Sequence, residues 1–254
     1  MVGGQNGNGS KPRHKPRVKG SWSRGPELQE RDVEILRWIA RHGVVTPSLV
    51  ARRFFWRPER EAYSEWAVRR RLGALSRLGL IVRDYNPFSA RELQAKREEV
   101  IRVSREGARI ADVGLQPAPL VISELRHTLG LVRLCESLLV NNPTAELVTE
   151  REIRAQRYRE LHNGDREVST GRAPDALLRI PTGTSSGRRV AIIAVELDLS
   201  RKDARAMERM IRDYDREDVD RVWWFVAPDR LQRTREFVKE MHHESRVQVF
   251  KWPA

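Results

Sequence analysis

At 254 residues, with 39% hydrophobic and 33% charged content and a net charge of +13, the chain is long enough for one large domain or two small ones. No apolar run approaches the roughly 20 residues of a membrane helix, and no apolar stretch follows the basic N-terminus as in a secretory signal, so a cytoplasmic protein is predicted. The single cysteine, Cys135, excludes an internal disulfide and any multi-cysteine metal site, and its setting in "LGLVRLCESLLV" is that of a small buried hydrophobe.

The charge is uneven. Residues 1–119 carry 24 Lys+Arg against 13 Asp+Glu, and residues 120–254 carry 24 against 22. The first half is therefore the part expected to meet a polyanion. Residues 1–25 hold six Lys/Arg, no acid, and many Gly, Pro, Ser and Asn. That composition cannot offset the entropy of ordering, so a disordered basic arm is predicted, either attracting phosphates or acting as a solubilising tail.

Residues 26–115 are compact in pattern. "ERDVEILRWIARHG" predicts a helix ending at Gly43, with Val33, Ile35, Leu36 and Ile39 as its apolar face. In "VVTPSLVARRFF", Thr46 is a good N-cap and Pro47 suits the first helical position, where its missing N–H costs nothing. "SEWAVRRRLGALSRLG" predicts a third helix stopped by Gly79. "LIVRDY" and "EEVIRV" then read as strands around a polar loop, with Ser104 placed to cap a short closing helix. Three helices followed by a β-hairpin is the winged helix-turn-helix order.

At about 100° per residue, the third helix puts Val68, Leu72, Leu75 and Gly79 on one side and Trp66, Arg70, Gly73 and Arg77 on the other. Two arginines, an aromatic and a glycine opposite the core suit a helix lying along a duplex, although a solvated basic face has the same pattern. Arg69 and Arg71 flank that face within reach of phosphates, and Arg83 in the following strand completes the candidate DNA-binding set.

Past the linker "GLQPAPLVIS" the periodicity changes. Over residues 120–254 the pattern predicts a helix "SELRHTLGLVRLCESLLV", strands "ELVTEREI", "DALLRI" and "VAIIAVELDL", and a charged helix "SRKDARAMERMIRDYDRE" with Ser200 as N-cap. A strand "RVWWFVAP", a helix "DRLQRTREFVKEMHH" and a last strand "RVQVFKW" follow. The order α-β-β-β-α-β-α-β predicts a mixed sheet flanked by helices, an α/β domain, with Trp223, Trp224 and Phe225 packing that sheet. "GTSSG" at 183–187 reads as a hairpin turn. His127 reads as a packed or capping histidine, and the adjacent His242 and His243 as a surface helix end.

One acidic constellation stands out. Glu196 and Asp198 share a face of their strand because side chains alternate, and Asp175 opens the neighbouring strand. Three carboxylates converging on a point would bind a hard ion such as Mg²⁺, which activates water for phosphate hydrolysis. Glu150 and Glu152, predicted to share a face of the preceding strand, are candidates to contribute. The competing reading is that these carboxylates are solvated or paired with nearby arginines.

"PD" at 174–175 and "ELD" at 196–198, in this element order, resemble the PD-(D/E)xK restriction-endonuclease-like superfamily. "RAPDALL", "VELDLSRKDARAMERMIRDY" and "VSREGARIADVG" give the chain from about 28 to 250 a closer resemblance, to the replication-relaxation family of plasmid and mobile-element proteins. That resemblance implies a winged helix joined to a nuclease-like domain in a bacterial, nucleoid- or plasmid-associated protein. It also implies a DNA-binding accessory role in replication, relaxation or mobilisation, with double-stranded DNA and other replication or mobilisation proteins as partners. The nuclease motif would place lysine two residues after Glu196, where this chain has Asp198; Lys202 is the candidate substitute.

Three readings follow. The leading one is a DNA-binding accessory protein. The second is a Mg²⁺-dependent endonuclease with Asp175, Glu196 and Asp198 as ligands and Lys202 beside them. The third is a transcriptional regulator whose C-terminal domain forms a homodimer. Tyr214 reads as a helix-end packing residue rather than a nucleophile, because no histidine cluster accompanies it.

Overall fold

The computed structural model describes residues 27–86, 98–163, 172–184, 187–200, 203–215 and 219–252. The predicted basic arm, the polar stretch at 87–97 and Lys202 lie outside them. Helix α1 (Glu30–His42) begins where the Asp32 carboxylate accepts the Gln29 N–H at 2.7 Å, and it ends at Gly43, whose φ of 84° suits glycine. Helix α2 (Pro47–Phe54) is capped by Thr46, which accepts the Leu49 N–H at 3.3 Å. A two-stranded ribbon that the pattern did not announce, β1 (Trp56–Arg57) with β2 (Ala62–Tyr63), leads into helix α3 (Glu65–Arg77), capped by Ser64.

The end of α3 corrects the expected place of Gly79. It is exposed rather than part of the apolar stripe, and with φ 70° it turns the chain out of the helix. Its N–H donates to Ser76 O and the Leu80 N–H donates to Leu75 O, a Schellman ending in which buried Leu75 and Leu80 seal the turn. Strands β3 (Ile81–Tyr85) and β4 (Glu99–Val103) then pair antiparallel, and Val45 bridges to Ile101 beside them. Helix α4 (Arg105–Ala111) is capped by Ser104. It packs so tightly that a Cβ on Gly107 would lie 1.9 Å from the Leu80 carbonyl oxygen.

Helix α5 (Leu125–Asn141) serves two cores. Leu125, Leu129 and Val132 belong to a cluster that also holds Ile35, Leu36, Ile39, Leu72, Leu75 and Ile101. Its Leu134, Cys135 and Leu138 pack with Leu178, Ile193, Val195 and Leu197 of the sheet. Close approach is possible because Gly130 faces Leu197, Leu199 and Trp252.

The sheet has order β5-β6-β7-β8-β9: β5 (Glu146–Thr149), β6 (Ala176–Thr184), β7 (Gly187–Asp198), β8 (Arg221–Val226) and β9 (Val247–Lys251). The first three strands pair antiparallel and the last three parallel, giving the mixed α/β sheet that the pattern predicts. The β6–β7 hairpin closes at Thr184 and Gly187, as "GTSSG" predicts. Helix α7 (Ala204–Asp215) sets Met207, Met210, Ile211 and Tyr214 on one stripe against Ala194, Val222, Trp224 and, from helix α8 (Leu231–Glu240), Val238.

Two element boundaries differ from the pattern. "ELVTEREI" is not one strand: Thr149 ends β5 and caps helix α6 (Glu150–His162), accepting the Glu152 N–H while the Glu152 carboxylate accepts the Thr149 N–H at 2.9 Å. The reciprocal cap overrides strand propensity, so Glu150 and Glu152 stand on the first turn of a helix. Asp203 rather than Ser200 caps α7, accepting the Ala206 N–H at 2.7 Å. Among the described residues no helix is long and apolar enough to cross a membrane.

Candidate nucleic-acid interface and acidic cluster

On α3 the stripe Val68, Leu72 and Leu75 is buried, which turns Trp66, Arg69, Arg70 and Arg77 into solvent. Trp66 is 67% exposed, and the Arg70 guanidinium lies over its ring at 5.1 Å. The Arg77 guanidinium folds back over Gly73, 3.6 Å from the position of a Cβ there. Arg69 pairs with Glu65 one turn earlier at 2.9 Å, an exposed contact that water and salt weaken. No carboxylate pairs with Arg70 or Arg77 among the described residues.

The other two arginines of the set are paired with carboxylates of the fold. Arg71 is ion-paired to Asp32, which is fully buried, and also donates to the Glu27 carbonyl at 3.1 Å. It ties α3 to α1. Arg83 grips Glu99 across the β3–β4 pair, with Nη2 to Oε2 at 2.8 Å, and this hydrogen bond raises its pKa. Helical and strand parity place these side chains; only the fold reveals which carboxylate each one faces.

Asp175 precedes the register pair Ala176–Val195, which sets it beside Glu196 at the ends of β6 and β7. Asp175, Glu196 and Asp198 are all buried. Each meets its own partners. Asp175 Oδ2 accepts the Leu197 N–H at 2.8 Å, and Oδ1 lies 3.4 Å from His127 Nε2. Glu196 Oε1 accepts the Tyr214 hydroxyl, and Oε2 accepts from Arg172 at 3.2 Å. Asp198 Oδ1 accepts the Ser200 N–H at 3.1 Å and faces Arg230 Nη1 at 3.4 Å, while Arg230 Nη2 binds the Asp198 carbonyl at 3.1 Å.

The protonation chemistry follows from this packing. Burial, then the Glu196 charge and the hydrogen bond to it, push the Tyr214 phenol far above its ordinary range, so it stays a donor. Burial opposes the charge of Arg172, but Glu196 and Asp175 raise its pKa overall. The hydrogen bond to Asp175 raises the pKa of His127, and burial raises that of Glu150. Burial likewise lifts the Cys135 thiol, which leaves it an inert hydrophobe.

A magnesium ion needs several carboxylate oxygens open toward one point. Here both oxygens of Asp175 and Glu196 are engaged, and Asp198 is held by Arg230 and Ser200. Among the described residues no group of three or more His, Cys, Asp or Glu side chains is arranged to hold a metal ion. As arranged, this donor set does not fit a divalent cation; Arg172 faces Glu196 and Arg230 faces Asp198 as counter-ions, and Asp175 meets His127.

Sequence reasoning singled out the carboxylates but not Arg172 or Arg230, and it assigned Tyr214 to packing alone. Tyr214 was reachable: Met207, Met210, Ile211 and Tyr214 fall at helical spacing, so the tyrosine had to face the sheet. Arg172 and Arg230 carry no comparable signal in a chain with this much arginine.

Comparison with family models supplies the context for these two sites. A model described as replication-relaxation matches residues 36–221, from the middle of α1 to the start of β8. The chain belongs to the replication-relaxation family. The matched span takes in both the α3 face and the Asp175–Glu196–Asp198 cluster, so the family pattern covers the two sites together. Neither the curated proteins nor the solved structures provide a match. Membership points to plasmid or mobile-element replication or relaxation as the setting in which this chain acts.

Proposed function

We propose that the chain is a DNA-binding accessory protein in the replication, relaxation or mobilisation of a plasmid or other mobile element. In this reading residues 26–115 act as a winged helix-turn-helix, and α3 is the helix laid along the duplex. Residues 120–254 act as a PD-(D/E)xK-like support, with the closed acidic cluster holding the sheet together rather than cutting DNA. The observation that carries the proposal is the outer face of α3, where exposed Trp66, Arg70 and Arg77 stand opposite a fully apolar stripe. An arginine presented in water offers charge-assisted bonds to phosphate without leaving a buried partner behind. The Trp66–Arg70 stack holds one such guanidinium in place.

The test is anisotropy titration of labelled duplex DNA with the full chain, because α5 completes the first core and a fragment ending before it would lack Leu125, Leu129 and Val132. Affinity is expected to fall linearly in log–log form with salt, by about 0.9 in slope for each phosphate neutralised. Absence of binding at low salt, or binding indifferent to salt, overturns the proposal.

A further inference from the structure

Trp66 is the most exposed aromatic side chain among the described residues, at 67%, and it stands in the first turn of α3. An indole is a large apolar ring, and in water it contributes none of the burial that such a ring brings to a core. Its place is tied to the basic stripe. Trp66, Arg70, Gly73 and Arg77 fall on one line of the helix, so the stripe runs about 16 Å with the ring at its N-terminal end. Arg70 lies over one face of the indole at 5.1 Å, and among the described residues no second ring or guanidinium stacks on the opposite face. Another exposed indole, Trp56 at 44%, stands on the β1–β2 ribbon, 6.5 Å from the ring of Tyr63, which ends that ribbon just before the Ser64 cap of α3. The approach to α3 is therefore aromatic, and the helix beyond it is basic.

A fully paired duplex makes poor use of such a ring. Base pairs present their edges in the grooves and are read there by hydrogen bonds, for which an indole brings one N–H donor and no acceptor. An unpaired base presents its π face instead, and stacking on an aromatic side chain is strong and tolerant of sequence. Arg70 steadies the ring from the far side and offers its charge to the adjoining phosphate. An apolar protein surface laid on Trp66 would have to cover Arg70 and Arg77 as well, whereas phosphates match both.

Resting on the reading of α3 as the DNA-contacting helix, we propose that its preferred substrate is DNA with an unpaired segment beside a duplex. Arg70 and Arg77 take duplex phosphates while one unpaired base stacks on the open face of Trp66. The experiment measures binding of the full chain by anisotropy, at one salt concentration, to a continuous duplex, to the same duplex with a short single-stranded gap, and to oligothymidylate. A 2-aminopurine placed in the gap reports stacking through loss of its fluorescence. The gapped duplex is expected to bind about tenfold or more tightly than the continuous one, the worth of one stacked base, and to be quenched on binding. Oligothymidylate, which lacks the duplex, is expected to bind more weakly than the gapped DNA. A gap also makes DNA easier to bend, and Trp66→Leu separates that effect from stacking because it keeps apolar bulk without the ring. This variant is expected to melt like wild type and to lose both the preference and the quench, while Trp66→Phe retains much of each. Equal affinity for gapped and continuous duplex overturns the proposal, as does tighter binding of oligothymidylate than of gapped DNA, or a preference that survives in Trp66→Leu. Salt-dependent duplex binding without a preference for the gap defeats this inference alone, and absence of binding to every DNA defeats the reading of α3 with it.

Discussion

On α3, Arg70 and Arg77 stand in water with no carboxylate paired to them among the described residues, whereas at the ends of β6 and β7 Asp175, Glu196 and Asp198 are buried and each meets a cation or an N–H. A charge left in water costs the fold almost nothing and remains available to a partner outside the chain. A charge taken out of water has to be neutralised within the chain, and so becomes part of what holds the elements in place. The same contrast recurs within one turn of helix: Arg70 lies on an exposed tryptophan, while its neighbour Arg71 is locked onto Asp32.

That last pair gives the largest expected effect. Arg71→Ala leaves the buried Asp32 carboxylate with the Gln29 N–H but without its cation, and is expected to cost about 3–5 kcal/mol in denaturant unfolding, against less than about 0.5 kcal/mol for Arg70→Ala. Equal losses in the two variants would erase the distinction between inward and outward arginines. Next in size is Tyr214→Phe, which removes the hydroxyl that donates to buried Glu196. It is expected to lower stability by about 1–3 kcal/mol and leave DNA affinity as it was. A Tyr214→Phe protein of wild-type stability would show that water reaches Glu196.

Two histidines that line one cavity respond to pH in opposite directions. Burial, followed by the charges of Arg41 and Arg53, lowers the His42 pKa from 6.5 to about 3. The unfolded chain therefore takes up this proton first, and stability falls as pH drops from about 6.5 towards about 3, by up to about 1.4 kcal/mol per unit for a fully buried ring. His42 is only half-buried by accessible area, so a smaller slope is expected. His127 behaves inversely: its pKa is raised by Asp175, so its contribution is complete below the unfolded value of 6.5 and is lost as pH rises through the folded one. Melting curves of wild type and His42→Gln between about pH 7 and about pH 4 are expected to diverge on the acid side, the variant losing less stability. Parallel curves would contradict a His42 held neutral in the fold. The smallest expected effect is that of magnesium: Tm in Mg²⁺ and in EDTA should agree, because an ion that binds only the folded state would raise it. A Tm raised by Mg²⁺ would mean that the ion displaces Arg172 or Arg230 from the cluster.

Much of this was legible in the residues. Thr46, Pro47 and Ser104 announced helix starts because their local chemistry is self-contained, and the 3.6-residue stripe of α3 fixed which side chains face water. The carboxylate cluster was legible as far as β6–β7 pairing could carry it. What escaped was set by competition or by distance. Strand propensity in "ELVTEREI" lost to the Thr149–Glu152 capping box, a contest decided by a few hydrogen bonds at one residue. Arg71 with Asp32, Arg172 with Glu196 and Arg230 with Asp198 are contacts between residues 24 to 39 positions apart. No spacing rule reaches them, and in an arginine-rich chain composition does not single them out.

The central claim is that charge on the outer face of α3 binds DNA while charge at the strand ends holds the fold. The most direct test compares salt-dependent duplex binding by the wild-type chain and by Arg70→Ala/Arg77→Ala, with melting temperature measured on the same samples. The double variant is expected to melt like wild type, to bind about tenfold or more weakly, and to show a salt slope shallower by about 1 for each arginine that contacts phosphate. Wild-type affinity and slope in a double variant that melts normally would contradict it.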